Sequence, residues 1–330
     1  MSSNQCSIRK IDLHKSNYWA RVGIKFKKYK SIFWFLLPAT FLALLFGYLP
    51  LIGILIAFKG DFTLAINSPI DELFRDNWTL SQFQKIFQDV GFSTALANTL
   101  TINVFKLLLV FPFTIVLAVM LSEIKSTFIS KLILILLCLP NFLSWPVVIG
   151  VWENFFQEVD GVVNNVLLSM NLIDSPVYWF GSEALFKPFV IIIDMWKGCG
   201  WNSIMFYAAI MSIDKSYYEA ATLDGCSKLK QIIHLTIPSI IPIIALMFIM
   251  NITYILSSGF EEVQLLLKIS DPSLRTAMKT LDVYLYETAL GEGADQAFGT
   301  ALGIFNSTVS LVFMLTGNKL CRKFLNKGLW

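Results

Sequence analysis

Six apolar runs, each long enough to cross a bilayer as a helix, constrain this chain more than any other feature. They lie at about 32–58, 95–121, 129–152, 189–211, 239–257 and 298–316. A helix needs about 20 predominantly apolar residues to span the hydrocarbon core. Backbone in lipid must satisfy its own polar groups, so helices and closed barrels are the only spanning forms. The expected fold class is therefore an all-α polytopic membrane protein with six transmembrane helices. Composition agrees: 55% of the 330 residues are hydrophobic and 15% are charged, against about a quarter charged in soluble domains. Prolines 38, 50, 112, 140, 146 and 242 fall inside these runs. They mark kinks or breaks wherever neighbouring groups can take up the freed backbone.

Orientation follows from the basic residues. One set of connections, with both ends of the chain, carries seventeen Lys and Arg; the other carries seven and is rich in acids. The positive-inside rule then places both termini in the cytoplasm. The expected organisation is a basic arm at 1–31, a six-helix permease domain at 32–318 and a basic tail at 319–330. The loops at 59–94, 153–187 and 258–297 would face outward, and the segment 214–238 would be cytoplasmic. In the outer loops, 160–173 has the spacing of an amphipathic helix lying on the membrane, and 258–297 contains charged helical stretches. The arm precedes a full-length span without a small-residue cleavage site, so it reads as an uncleaved first helix.

Several chemistries find no support. Cys6, Cys138, Cys199, Cys226 and Cys321 stand at no metal-ligand or redox spacing, so neither a metal site nor a disulfide is expected. His14 and His234 are far apart and flanked by basic residues, which argues against a histidine-based catalytic site. A net charge of +3 gives no reason to expect nucleic acid.

The cytoplasmic stretch YYEAATLDGCSKLKQIIHLTIP, residues 217–238, interrupts the apolar pattern. Residues 217–223 are good helix formers, with Asp214 and Ser216 available as N-caps. Gly225 breaks the helix. A second helix is expected over 227–236, and Pro238 opens the next span at a position where proline is tolerated. Ala220 and Ala221 would let another surface come close, and Tyr217, Tyr218 and Leu223 would anchor it.

The order E-A-A at Glu219, Ala220 and Ala221, then D-G at Asp224 and Gly225, then L-x-I-P ending at Pro238, resembles the EAA loop of ABC importer permeases. That family usually ends the motif I-x-L-P, so the aliphatic pair is exchanged here. From about residue 30 onward the chain is similar to sugar-importing permeases of the maltose and alginate type, the subgroup handling complex oligosaccharides and polysaccharides. The stretches LPNFLSWPVVIGVW, WKGCGWNSIMFYAAIMSID and FGTALGIFNSTVSLVFMLTGNKLCRK carry that similarity.

The resemblance implies a type I ABC importer permease fold. The elbow would be a coupling helix seated in a groove on an ATPase, with Glu219 meeting a basic residue there and Gly225 making the turn. It further implies two separate ATPase subunits that hold ATP and Mg, and a second homologous permease forming a heterodimer. An extracytoplasmic solute-binding protein would deliver the glycan, and membrane lipid would surround the whole. No cofactor is expected on this chain, which has no G-x-x-x-x-G-K-[ST] loop and is not expected to be an enzyme. Its place would be the cell membrane.

Sugars present apolar faces and hydroxyl edges, so aromatics and amides are the candidates for lining their path. Those are Asn141, Trp145, Trp196, Asn202, Asn251 and Tyr254, with Lys197 added should the cargo be acidic. Each has a structural alternative: Trp and Tyr crowd membrane interfaces, and Asn bridges helices. Lys106, Asp194 and Lys197 are the ionisable residues inside spans. Asp194 and Lys197 stand at i, i+3, which favours a mutual pair, and Lys106 would snorkel or bond a neighbouring helix. An ion-coupled secondary transporter is the competing reading. It would call for repeat symmetry and mid-membrane acids, of which only Asp194 is present. A membrane-embedded glycosyltransferase would call for clustered carboxylates, and the acids here are scattered.

Overall fold

A computed structural model describes residues 29–60, 76–291, 293–325 and 328. Most of the basic arm, part of the first outer loop and most of the tail's last residues lie outside them. Among the described residues the chain is helical, with a single isolated β-bridge between Lys59 and Trp78. The helices, in chain order, are α1 (Lys30–Phe58), α2 (Ser81–Gln88), α3 (Val90–Ser122), α4 (Thr127–Phe142), α5 (Trp145–Phe156), α6 (Val162–Ser169) and α7 (Glu183–Met211). They continue with α8 (Lys215–Leu223), α9 (Lys228–Thr253), α10 (Phe260–Ile269), α11 (Pro272–Ala277), α12 (Leu281–Leu290) and α13 (Gln296–Leu325).

The chain divides into two compact units, 1–55 and 56–330. In the first, α1 is apolar all round and buries none of its residues from Lys30 to Leu55. α1, α3, α9 and α13 are long and apolar enough to cross a membrane. The third apolar run is not one straight helix: α4 and α5 meet at 97°. Pro140 and Pro146 cause this break, with the extended residues Leu143 and Ser144 between the two helices. α7 has the length for a span, at 29 residues, but it carries Lys187, Asp194 and Lys197 along its course.

Prolines produce a recurrent device in three helices. Pro50, Pro112 and Pro238 each follow a five-residue π-turn: Leu44–Tyr48 in α1, Lys106–Val110 in α3 and Ile232–Thr236 in α9. A proline has no N–H to give, and its ring collides with the carbonyl four residues back. That carbonyl belongs to Phe46, Leu108 or His234, in each case inside the widened turn. The residue before each proline instead donates across the turn, as Phe111 N–H does to the Lys106 carbonyl and Ile237 N–H to that of Ile232. The helices therefore continue through their prolines. α9 in particular starts at Lys228, so Pro238 lies inside a helix and does not open a span, contrary to the sequence expectation.

In the second unit, α7 is the central element and packs most extensively on the second half of α3, then on α4 and α9; α13 packs on α9 and α12. One core lies at the elbow end, where Ala118 and Leu121 of α3 meet Phe206, Tyr207 and Ile210 of α7 and Ile240 of α9. A second lies where Ile102 and Val110 of α3 meet Val148 and Ile149 of α5, Val190 and Ile193 of α7, and Val263 and Leu266 of α10. Buried polar side chains of α3 hold the segments between α9 and α12. Asn98 Nδ2 donates to the carbonyls of Ala277 (2.8 Å) and Lys279 (2.9 Å). Asn103 Nδ2 donates to Ile255 O at 2.8 Å and Ser257 O at 3.2 Å, and Thr99 Oγ1 accepts from Leu281 N–H at 2.7 Å.

The expected helix in 160–173 is α6, whose buried residue is an amide rather than an apolar one. Asn164 donates to Val177 O at 2.9 Å and accepts from the indole N–H of Trp179 at 2.9 Å. It ties the loop to itself.

α4 and α7 approach closely at Gly200, where an added Cβ would overlap the carbonyl of Leu137. The obstructing atoms, the Leu137 carbonyl carbon and oxygen and the Cys138 nitrogen, are all backbone, so none can swing away. Gly200→Val is expected to destabilise the protein by about 1–3 kcal/mol, the usual range for overpacking. Gly150→Ala, with nothing within 4 Å of the new methyl, should leave stability unchanged or slightly raised. Thermal unfolding of the detergent-solubilised protein checks both.

Candidate functional site

The elbow is built from local rules. Asp214 caps α8, its Oδ1 accepting from Ser216 N–H at 3.0 Å, and that bond holds its carboxyl below the usual carboxylate range. Ser216 therefore lies inside the helix and is not its cap. α8 ends in a paired 6→1 and 5→2 closure: Cys226 N–H donates to Ala221 O at 2.9 Å and Gly225 N–H to Thr222 O at 3.0 Å. Closing the helix this way needs a left-handed residue, and Gly225 supplies it with φ +75°. α9 then starts within three residues.

Behind the turn, side chains lock α8 to α9. Gln231, buried, donates through Nε2 to Thr222 Oγ1 at 3.0 Å and to Cys226 O at 3.2 Å. Tyr218 and Thr236 join hydroxyl to hydroxyl at 2.9 Å. Lys228 reaches Glu123, in the α3–α4 connection, at 3.2 Å. The outer face is left open: Glu219, Ala220, Asp224 and Gly225 are exposed, as is Pro238 on α9, while Ala221 is half-buried. Leu223 is 89% exposed and Tyr217 62%. α8 buries none of its residues.

The second candidate is a cavity of about 260 Å³ enclosed by α3, α5, α7, α9 and α10. Trp145, Asn202, Asn251 and Tyr254 line it together. Asn141, Trp196 and Lys197 do not. Trp196 stacks edge-on against Trp152 at 6.1 Å. Lys197, buried, spends its ammonium group on the carbonyls of Leu143 (2.8 Å), Asn141 (2.9 Å) and Pro140 (3.4 Å), and it lies 5.1 Å from the centre of the Trp145 ring. It thus satisfies the carbonyls freed at the proline break between α4 and α5, and its three donors suit that task.

The expected pair between Asp194 and Lys197 does not form. Asp194 bonds Lys106 at 3.1 Å, and Lys106 also reaches Glu262 of α10 at 3.4 Å. Two residues three apart on a helix can meet, but a ligand set of carbonyls takes Lys197 elsewhere. Glu262 was not among the sequence candidates. Burial pushes its carboxyl up to about 8, against the pull of Lys106. The signal for it was present: in α10, Glu262 shares one helical face with Val263, Leu266 and Leu267, and a carboxylate on a buried face needs a cation. Asp282 is likewise pushed up by burial while accepting from Ser258 N–H at 2.9 Å.

Replacement at Gly225 separates backbone from side-chain effects. A Cβ there meets nothing within 4 Å, so Gly225→Ala costs only the left-handed backbone, about 1 kcal/mol. Gly225→Asn, which tolerates that conformation, should retain more of the wild-type stability than Gly225→Ala. Thermal unfolding of the two detergent-solubilised variants reads the order.

Comparison with known proteins gives a consistent picture. The family described as "Binding-protein-dependent transport system inner membrane component" matches residues 110–316. Protein LplB of Bacillus subtilis (strain 168) is 31% identical over 305 residues, 92% of either chain. The polygalacturonan/rhamnogalacturonan transport system permease protein YteP of the same organism is 31% identical over 311 residues, 94% of this chain and 93% of that one. Among solved structures, a bacterial alginate ABC transporter in complex with an alginate pentasaccharide-bound periplasmic protein contains a similar chain. That chain has a TM-score of 0.82 and 33% identity, and the match covers 94% of this chain and 100% of that one.

Proposed function

Because the chain belongs to the family of binding-protein-dependent transport system inner membrane components, we propose that its elbow and its cavity are the two working parts of an ATP-driven glycan importer. The chain is the permease of an ABC sugar or polysaccharide importer, a membrane component and not itself an enzyme. Each finer assignment rests on a physical feature.

The exposed elbow carries the reading. α8 keeps Leu223 and Tyr217 uncovered although folding alone would favour burying them, and it is braced from behind by Gln231 and Tyr218. Such a helix suits a coupling role: rigid on its own side and sticky on the other. Glu219, Ala220, Ala221, Asp224 and Gly225 would form the face that enters a groove on a separate ATPase subunit, with Glu219 meeting a cation there. ATP and Mg would be held by two such subunits. α9 runs unbroken from Lys228 through Pro238 to Thr253, so a push on the elbow passes directly into a membrane-length helix. Closure of the ATPases would then rock the helices between inward-open and outward-open states, a rigid-body transition.

In this reading the six spans are α1, α3, the bent pair α4–α5, α7, α9 and α13, with both termini cytoplasmic. A second, different permease completes the translocation path, and the opposite face receives a solute-binding protein carrying an oligosaccharide or polysaccharide. Trp145, Asn202, Asn251 and Tyr254 would line this chain's part of the path. Asn141, Trp196 and Lys197 would shape it from behind.

Affinity purification of the tagged chain from its own membranes should bring down a second permease and an ATPase. The reconstituted complex should hydrolyse ATP several-fold faster when sugar-loaded binding protein is added. Glu219→Ala should weaken ATPase co-purification and lower that stimulation, by about ten-fold if a charge-assisted contact of 1–2 kcal/mol is lost. Recovery of the chain without any ATPase, or full stimulation in the variant, would refute the coupling role.

A further inference from the structure

From the cavity wall we infer that the saccharide unit seated against this permease is uncharged: a hydroxyl-rich sugar, not a uronate. This rests on reading the cavity as the sugar path. The wall contains one cation, Lys106, and two carboxylates, Asp194 and Glu262. Lys106 contacts both, at 3.1 Å and 3.4 Å, and the Glu262 side chain is only 1% exposed. Lys197, 5.1 Å from the centre of the Trp145 ring, is directed into three backbone carbonyls. The cluster's net charge is therefore zero with Glu262 protonated and −1 with it ionised, and in neither state positive. A uronate carboxylate entering here would lose water and face Asp194 at like charge, and Glu262 also whenever it is ionised, with no free cation to receive it.

Hydroxyl groups meet the opposite situation. Glu262 Oε1 and Ser258 Oγ, both belonging to cavity-lining residues, are buried with no hydrogen-bond partner. Buried polar atoms left unpaired are costly, so a side-chain rotation that brought either atom to the cavity surface would find its partner in a sugar hydroxyl. Asn251 has its Nδ2 on Met247 O and keeps its carbonyl oxygen to accept from another. Trp145 and Tyr254 offer faces for the C–H surface of a pyranose ring. The acidic cargo named for the alginate transporter therefore does not carry over to this wall.

The test uses the complete importer, with its partner permease and ATPases, and two length-matched probes, a galacto-oligosaccharide and an oligogalacturonate. Tryptophan fluorescence titrations and label uptake into proteoliposomes are both read. The neutral probe should bind and enter at least ten-fold better than the uronate in wild type. Asp194→Asn with Glu262→Gln frees Lys106, and should raise uronate affinity at least ten-fold. Asp194→Asn alone, the milder change, should raise it less but in the same direction. Wild-type uptake of uronate equal to or faster than neutral probe overturns the inference, as does unchanged uronate affinity in both variants. If no ATPase accompanies the chain, the importer reading falls instead.

Discussion

A helix in a bilayer that contains a proline leaves one carbonyl without its donor, and no water is at hand to replace it. α3 and α9 solve this with a π-turn placed so that the carbonyl at risk lies inside it. The consequence reaches beyond the local bond. One extra residue in a turn rotates everything beyond it by about 100° relative to a continuous α-helix. In α3 the rotation lets residues before and after Pro112 face different partners. Asn98, Thr99 and Asn103 hold the segments around α10–α12, while Ala118 and Leu121 pack on α7 and α9. Lys106 is the first residue of that turn. It sits between α7 and α10, bonded to Asp194 and Glu262.

The π-turn in α9 has a mechanical meaning. If Pro238 had broken the helix, motion at the elbow would have dissipated in a joint. Because the turn before it absorbs the missing donor, α8 connects through a three-residue Gly225 closure to a helix of 26 residues. Gln231 and the Tyr218–Thr236 pair remove most of the freedom left at that closure. The exposed helix is thereby tied to the long helix that follows it, as the proposed coupling role would require.

Much of this was legible in the sequence where the signal is one-dimensional. Apolar length located the long helices, and Asp214, Gly225 and the helix formers between them located α8. Where three-dimensional partners decide, the sequence was insufficient. Pro140 and Pro146 marked the third apolar run for a kink or a break, but not for a turn as sharp as 97°. Asp194 and Lys197 share a helical face, yet each is claimed by a group far away in the chain: Lys106 for one, the carbonyls of 140–143 for the other. The second half of the elbow, expected as a separate helix, is the first two turns of α9, because nothing local announces a π-turn. In the cavity, four of the seven path candidates come together, and the residue that gives the wall its charge balance, Glu262, lay in a stretch expected as an outer loop with charged helices.

That balance is the last consequence of placing charge in an apolar protein. Glu262 and Lys106, largely withdrawn from water, cost several kcal/mol per ion before their attraction to one another and to the partly exposed Asp194 is counted, and well-packed hydrophobic side chains in their place are often no less stable. A cluster of this kind persists for what it does to the space beside it. Here it presents carboxylate oxygens without presenting a positive field, and the buried Glu262 Oε1 is left unpaired. In the proposed reading, a wall of that character would hold hydroxyls by bonds that are individually weak, so that a sugar could rest and leave. A free ammonium at the same place would grip an anion tightly and slow each unit of a chain moving past. For a permease whose task is to pass its cargo on, the neutralised Lys106 is the more useful arrangement.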